Sequence, residues 1–173
     1  MTTVLALIRH DKVAMGSDGQ MTLGDTIFKH KTKKVRRIYN GQVLAGFAGS
    51  TADAIALLER FEKKLQEFSG NLLKASVELA KEWRTDRALR QLQAMLIVAN
   101  KNQILVISGN GDVIQPDDNI AAIGSGGPIA LAVAKALYKH TNLTADQIVK
   151  EAIEISGEIS IYSNQDVYVE TIE

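Results

Sequence analysis

Threonine at position 2 carries two groups that can work together. Once Met1 is removed, Thr2 bears a hydroxyl and a free α-amine on one residue, a nucleophile with a built-in base. The small Thr2 side chain is of the kind that permits removal of the initiator methionine, so a processed chain beginning at Thr2 is expected. With Met1 attached, the Thr2 nitrogen is an amide and cannot serve as base. The α-amine has a reference pKa near ~8, so a useful fraction is neutral at pH 7. A nearby ammonium would lower it further, because like charges oppose each other.

A peptidase of this kind also needs a positive charge beside the nucleophile and an N–H donor for the oxyanion. Asp18 is placed to hold a lysine. Lys33 and Lys34 are both available, and neighbouring strand residues face opposite ways, so spacing alone leaves the choice open. Gly46 or its neighbours, in Ala45-Gly46-Phe47-Ala48-Gly49, offer a backbone N–H at a strand end where glycine permits close approach. No Ser-His-Asp order is evident. His10 falls in a turn, His30 in a charged loop and His140 at a helix end, all surface positions.

Each motif also has a plainer reading. Asp18-Gly19 is a turn dipeptide. Lys33 to Arg37 reads as a solvated basic edge strand that blocks aggregation. As a nucleic-acid patch it lacks interleaved aromatics. Gly124-Ser125-Gly126-Gly127 before a helix is a potential anion site, but no Lys-Ser/Thr follows, which excludes a P-loop.

The 173 residues fit one domain, residues 1–173, and a chain of this size buries roughly two thirds of its unfolded surface. Lys plus Arg number 20 and so do Asp plus Glu, which argues against a nucleic-acid or anionic-membrane binder. Cysteine is absent, removing thiol catalysis, thiolate metal sites and disulfides, and fitting a cytoplasmic protein. No apolar run approaches the ~18 residues of a membrane span. The run after Thr3 is not read as a signal peptide, having no basic segment before it.

The elements that must position these residues follow from periodicity. Strands are expected at Thr3 to Arg9 and Lys12 to Ser17 around a His10-Asp11 turn. Met21 to Lys33 reads as short strand or loop with a turn at Gly24-Asp25. Val35 to Tyr39 and Gln42 to Phe47 flank Asn40-Gly41, the strongest hairpin signal. Ser50 or Thr51 caps a helix with Ile55, Leu58, Phe61, Leu65 and Phe68 on one stripe. A second helix is expected from Leu72 to Leu92 with Leu73, Val77, Ala80 and Trp83 on its apolar face, antiparallel to the first. Strands follow at Ala94 to Ala99, Ile104 to Ser108 and Ile120 to Ile123. Helices follow at Pro128 to Tyr138 and, capped by Thr144, at Ala145 to Gly157. Ile159 to Tyr162 and Asp166 to Ile172 read as closing strands. Hairpin-joined strand blocks alternating with helix pairs indicate antiparallel sheets. The fold class is α/β in the α+β sense: a four-layer αββα sandwich of two antiparallel sheets.

At this point the sequence resembles a known family. Thr2-Thr3, Gly16-Ser17-Asp18-Gly19-Gln20, Lys33-Lys34-Val35-Arg36-Arg37 and Ala45-Gly46-Phe47-Ala48-Gly49-Ser50-Thr51-Ala52-Asp53 are similar to the HslV (ClpQ) family. Its members are peptidase subunits of a bacterial two-component ATP-dependent protease, related to proteasome β subunits. Glu82 to Arg87 and Ile123 to Gly127 extend the likeness over essentially the whole chain.

The resemblance implies the N-terminal nucleophile hydrolase fold and a threonine-type endopeptidase. It assigns Thr2 as nucleophile and base, Asp18 and Lys34 as the acidic and basic site residues, Gly46 as oxyanion donor and Ser125 as a hydrogen-bonding partner near the amine. It alone selects Lys34 over Lys33. It implies no organic cofactor, but a Na+ (or Mg2+) on backbone carbonyls at Gly157, Ser160 and Ser163. Two of these differ from the Cys and Thr expected there, a change that carbonyl ligation tolerates. It implies two stacked hexameric rings, a hexameric AAA+ unfoldase partner HslU (ClpY) that also activates the site, and unfolded protein substrates. Three other functions make different expectations. An inactive scaffold ring subunit would keep Met1, a small-molecule amidase would not act on long unfolded chains, and a nucleotide-binding module would bind ATP by itself.

Overall fold

The computed structural model describes residues 2–173. The expected removal of Met1 concerns a residue outside that range. β1 (Val4–Arg9) and β2 (Lys12–Ser17) form a hairpin around His10 and Asp11, whose φ of 52° and 60° match a two-residue type I′ turn. β1 also pairs with β10 (Ile120–Ile123), and β2 with β11 (Tyr168–Ile172), so the first sheet runs β10-β1-β2-β11. The second sheet comprises, in order, β5 (Val35–Ile38), β6 (Val43–Gly49), β7 (Ala94–Ala99), β8 (Ile104–Ser108) and β9 (Val113–Ile114). Every pairing is antiparallel. A separate hairpin, β3 (Met21–Leu23) with β4 (Thr26–Lys29), turns at Gly24-Asp25 as expected.

Among the described residues the α-helices are α1 (Thr51–Glu67), α2 (Leu72–Thr85), α3 (Gly127–His140) and α4 (Ala145–Ile159). Ser50 caps α1 by accepting the Asp53 N–H, and Thr144 forms a capping box with Gln147 on α4.

Period-2 alternation builds the layers. In β1, Val4 and Ala6 face the second sheet while Leu5 and Leu7 face α3 and α4. In β6, Leu44 and Ala48 face the first sheet while Val43, Ala45 and Phe47 face α1 and α2. The buried clusters fill the spaces between helix pair and sheet, sheet and sheet, and sheet and helix pair. The architecture is the expected αββα sandwich.

Several elements depart from expectation. α2 stops at Thr85, because Asp86 turns the chain out (φ −72°, ψ 127°) and its side chain accepts the Ala88 and Leu89 N–H groups of the next turn. Its buried face is Leu72, Ala75, Ser76, Leu79, Ala80 and Trp83, whereas Leu73 is exposed and Val77 only half-buried. Small residues set that face, since they let the helix sit close to α1 and β8. In α1, Ala54 and Leu57 are buried where Ile55 was expected. Ile159 to Tyr162 is not a strand. α4 runs through Ile159, Ser160 caps it by donating to the Ser156 carbonyl, and the Ser163 N–H turns back to the Ser160 carbonyl. The β-branched residues there are exposed side chains of a turn and pair with nothing in the ladders.

Candidate active site

Thr2 precedes β1 and is buried, as are Thr3 and Asp18. Asp18 extends the β1–β2 ladder by one step: its N–H donates to the Thr3 carbonyl at 3.2 Å. The opposite strand end therefore delivers its carboxylate beside the start of β1.

That carboxylate is fully engaged. Oδ1 accepts the Thr3 N–H (3.0 Å) and the Lys34 Nζ (3.0 Å). Oδ2 accepts the Gln20 N–H (3.0 Å) and the Asn164 N–H (3.2 Å). Lys34 lies just before β5 and is 4% exposed, against 0% for Asp18. Burial lowers the Lys34 pKa below its ordinary range, and the Asp18 charge and hydrogen bond only partly offset this. The structure separates the two lysines that spacing could not: Lys33 stands over the Tyr168 ring, 4.8 Å from its centroid, outside the site.

The loop between β10 and α3 closes over Thr2. The Thr2 nitrogen donates to Ser125 Oγ at 3.1 Å, and the Gly126 N–H donates to the Thr2 carbonyl at 3.1 Å. Gly124, at φ 91°, is obligatory here, because a Cβ would overlap the Thr2 carbonyl. Three hydroxyls behind Thr2 hold the loop in place. Thr3 Oγ1 contacts Ser163 Oγ (2.7 Å) and Ser156 Oγ (3.1 Å), and Ser156 Oγ donates to the Gly126 carbonyl (2.9 Å).

Thr2 and Lys34 line one cleft of about 460 Å³. Gln20, Met21 and Thr22 line it from the segment after Asp18, and Phe47, Gly49 and Asp53 from β6 and the start of α1. Gly46 sits within β6, opposite Val35 and Ile97, and a Cβ would come within 2.6 Å of Val4 Cγ1 and 3.0 Å of Met15 Sδ. Its absence of side chain lets the two sheets close near the site. The adjacent Phe47 N–H is committed to the Lys34 carbonyl. His10, His30 and His140 are exposed and outside the cleft.

Gly157, Ser160 and Ser163 occupy the last turn of α4 and the turn after it. No group of three or more His, Cys, Asp or Glu suited to a metal occurs among the described residues, so a cation at this turn would be held by carbonyl oxygens. The turn fits such an ion. It ends a helix, where carbonyls lose intrahelical partners; the Ser160 carbonyl keeps a second lone pair beside the Ser163 N–H, and the bare Gly157 Cα brings the Asn164 backbone against it.

Residue typing missed Thr3, Ser156, Gln20 and Asn164. Ser156 alone left a signal, a small polar residue on the buried face of an amphipathic helix.

The sequence matches the family described as Proteasome subunit over residues 1–172. A Pseudothermotoga lettingae protein described as ATP-dependent protease subunit HslV is 57% identical over 171 residues, 99% of this chain and 97% of its own. The chain belongs to the HslV family of proteasome subunits. The crystal structure of eukaryotic HslV from Trypanosoma brucei superposes with a TM-score of 0.95 at 47% identity, covering 99% of both chains. Thiobacillus denitrificans BPH, at 18% identity and TM-score 0.74 over 99% of this chain and 97% of its own, shares the fold. The HslV blocks recognised in the sequence now have places: the strand ends at Thr2, Asp18 and Lys34, the β6 wall, and the loop at Ser125.

Proposed function

We propose that this chain is a threonine-type endopeptidase subunit of an ATP-dependent protein-degradation complex, a single peptidase domain acting from its processed N-terminus. The observation that carries the reading is the Thr2 nitrogen on Ser125 Oγ, in a cleft shared with the buried Lys34–Asp18 pair.

In the proposed reaction the neutral Thr2 amine takes the hydroxyl proton as Oγ attacks the substrate carbonyl carbon. The Lys34 ammonium favours both the neutral amine and the developing negative charge. Gly46, the expected oxyanion donor, lies mid-strand between β5 and β7 rather than at a strand end, so the oxyanion is assigned to the backbone at the cleft end of β6, where Gly49 lines the cleft. As the tetrahedral species collapses, the C–N bond breaks and the protonated amine returns its proton to the leaving nitrogen. Water then cleaves the Thr2 ester, with the same amine as base. Asp18 holds Lys34, and Ser125 orients the amine.

The chain's own chemistry needs no ATP, since peptide hydrolysis is downhill. ATP is assigned to a hexameric AAA+ unfoldase of the HslU (ClpY) kind, feeding unfolded chains to two stacked hexameric rings in the cytoplasm. Exposed apolar side chains on the β3–β4 hairpin (Leu23 at 70%, Phe28 at 63%) and after α4 (Ile161 at 77%) support burial between subunits. Among the described residues no helix is long and apolar enough to cross a membrane. The carbonyls of Gly157, Ser160 and Ser163 are assigned a Na+ or Mg2+ that would stiffen the turn holding Ser163 against Thr3.

Thr2→Ala removes peptide cleavage and Thr2→Ser keeps part of it, with loss of Met1 read by intact mass. Full activity of Thr2→Ala overturns the mechanism. Adding the unfoldase and nucleotide raises the peptide rate; equal rates with and without them remove the proposed activation.

A further inference from the structure

The strand end at Asp18 is followed by an excursion, residues 19–31, that carries the β3–β4 hairpin and one wall of the cleft. This excursion makes few ladder contacts, and β4 is exposed throughout. The Asn164 side chain bridges the two ends of its base. Asn164 Oδ1 accepts the Gly19 N–H at 2.9 Å, and Asn164 Nδ2 donates to the His30 carbonyl at 3.0 Å. The two ends of the excursion also meet directly, the Thr32 N–H donating to the Gly19 carbonyl at 2.9 Å.

We infer that Asn164 is a positioning residue that clamps the cleft wall to the site, an inference that rests on the peptidase reading above. The residue type is dictated by the partners. A backbone N–H on one side requires an acceptor and a backbone carbonyl on the other requires a donor, and the side-chain amide supplies them from two separate atoms. Oδ1 is anchored again by the Asp166 N–H at 3.2 Å, which fixes the rotamer. The Asn164 main chain reaches the catalytic carboxylate, donating to Asp18 Oδ2 at 3.2 Å. The same turn grips the wall at a second point, where Gln20 Nε2 donates to the Ile161 carbonyl at 3.0 Å. One residue thus links the turn after α4, the Asp18–Lys34 pair and the part of the cleft lined by Gln20, Met21 and Thr22.

The roles divide by atom. Substituting the side chain leaves the Asn164 N–H on Asp18, so Thr2, Asp18 and Lys34 keep their arrangement while the wall loosens. Asn164→Ala therefore raises KM for an extended peptide by about tenfold and changes kcat by less than about threefold. Amides of residues 20–29 exchange with solvent roughly tenfold faster or more, with β1 and β2 unchanged. Asn164→Asp keeps the acceptor for Gly19 and loses the donor to His30, and it tests the clamp if the alanine variant does not fold.

The decisive experiment is hydrogen exchange of the assembled protein with peptide kinetics on both variants, beside acylation of Thr2 by a small β-lactone followed by intact mass. The expected result is a loosened hairpin, raised KM and unchanged acylation. Unchanged exchange at 20–29, or faster exchange spread equally over β1 and β2, overturns the clamp. Failure of the unsubstituted protein to acylate at Thr2 would instead overturn the peptidase reading, and hairpin exchange would still decide the clamp.

Discussion

The Asp18–Lys34 pair makes an asymmetric prediction. Asp18→Asn leaves the Lys34 ammonium buried with no carboxylate, and it turns one acceptor oxygen into a donor facing other donors. Breaking a buried pair this way costs about 3–5 kcal/mol. Lys34→Met leaves the Asp18 carboxylate with the Thr3, Gln20 and Asn164 N–H donors. Hydrogen bonds to a charged group are worth ~1.5–3 kcal/mol each, so the remaining three hold the charge and the loss is only about 1–3 kcal/mol. The double variant removes both charges and falls near Lys34→Met, so the coupling energy equals the Asp18→Asn cost, about 3–5 kcal/mol. The assay is urea unfolding at pH 7 at fixed protein concentration, so that assembly contributes equally. Peptide cleavage is lost in all three. A Lys34→Met variant destabilised as much as Asp18→Asn would refute the idea that the backbone amides hold the carboxylate.

Other tests address separate parts of the molecule. The lowered Lys34 pKa predicts an alkaline limb of kcat/KM below the ordinary lysine value of 10.5. Between the folded-state pKa and 10.5 the unfolded chain binds the extra proton, so stability rises with pH through that window; a limb at or above 10.5 contradicts the assignment. Gly126→Ala places a methyl onto Thr3 Oγ1 and Ser156 Oγ, so a loss of about 1–3 kcal/mol and of peptide turnover is expected from thermal unfolding and kinetics. If carbonyls hold the cation, Na+ raises the unfolding temperature over an organic-cation salt of equal ionic strength, and Ser160→Ala keeps that gain. A gain abolished by Ser160→Ala would point to the hydroxyl instead.

Short apolar runs bounded by turn residues in β1, β2, β6 and β7 determined the strands and, with the helix pairs, the αββα layering. The pattern is local, so sequence carries it. Thr2 was legible for the same reason, since nucleophile and base share one residue. Lys34 was not legible from spacing, because Lys33 and Lys34 have equal local claims; the family likeness selected Lys34, and the meeting of strand ends supplies the physical reason. The end of α2 and the loss of the Ile159 to Tyr162 strand were also tertiary decisions. Capping by Asp86 and burial of Ala152, Ile153 and Ser156 outweighed propensity there. Asn164 was hidden for the plainest physical reason: its partners, Gly19 and His30, are distant in sequence and contribute only backbone atoms, which no residue type announces.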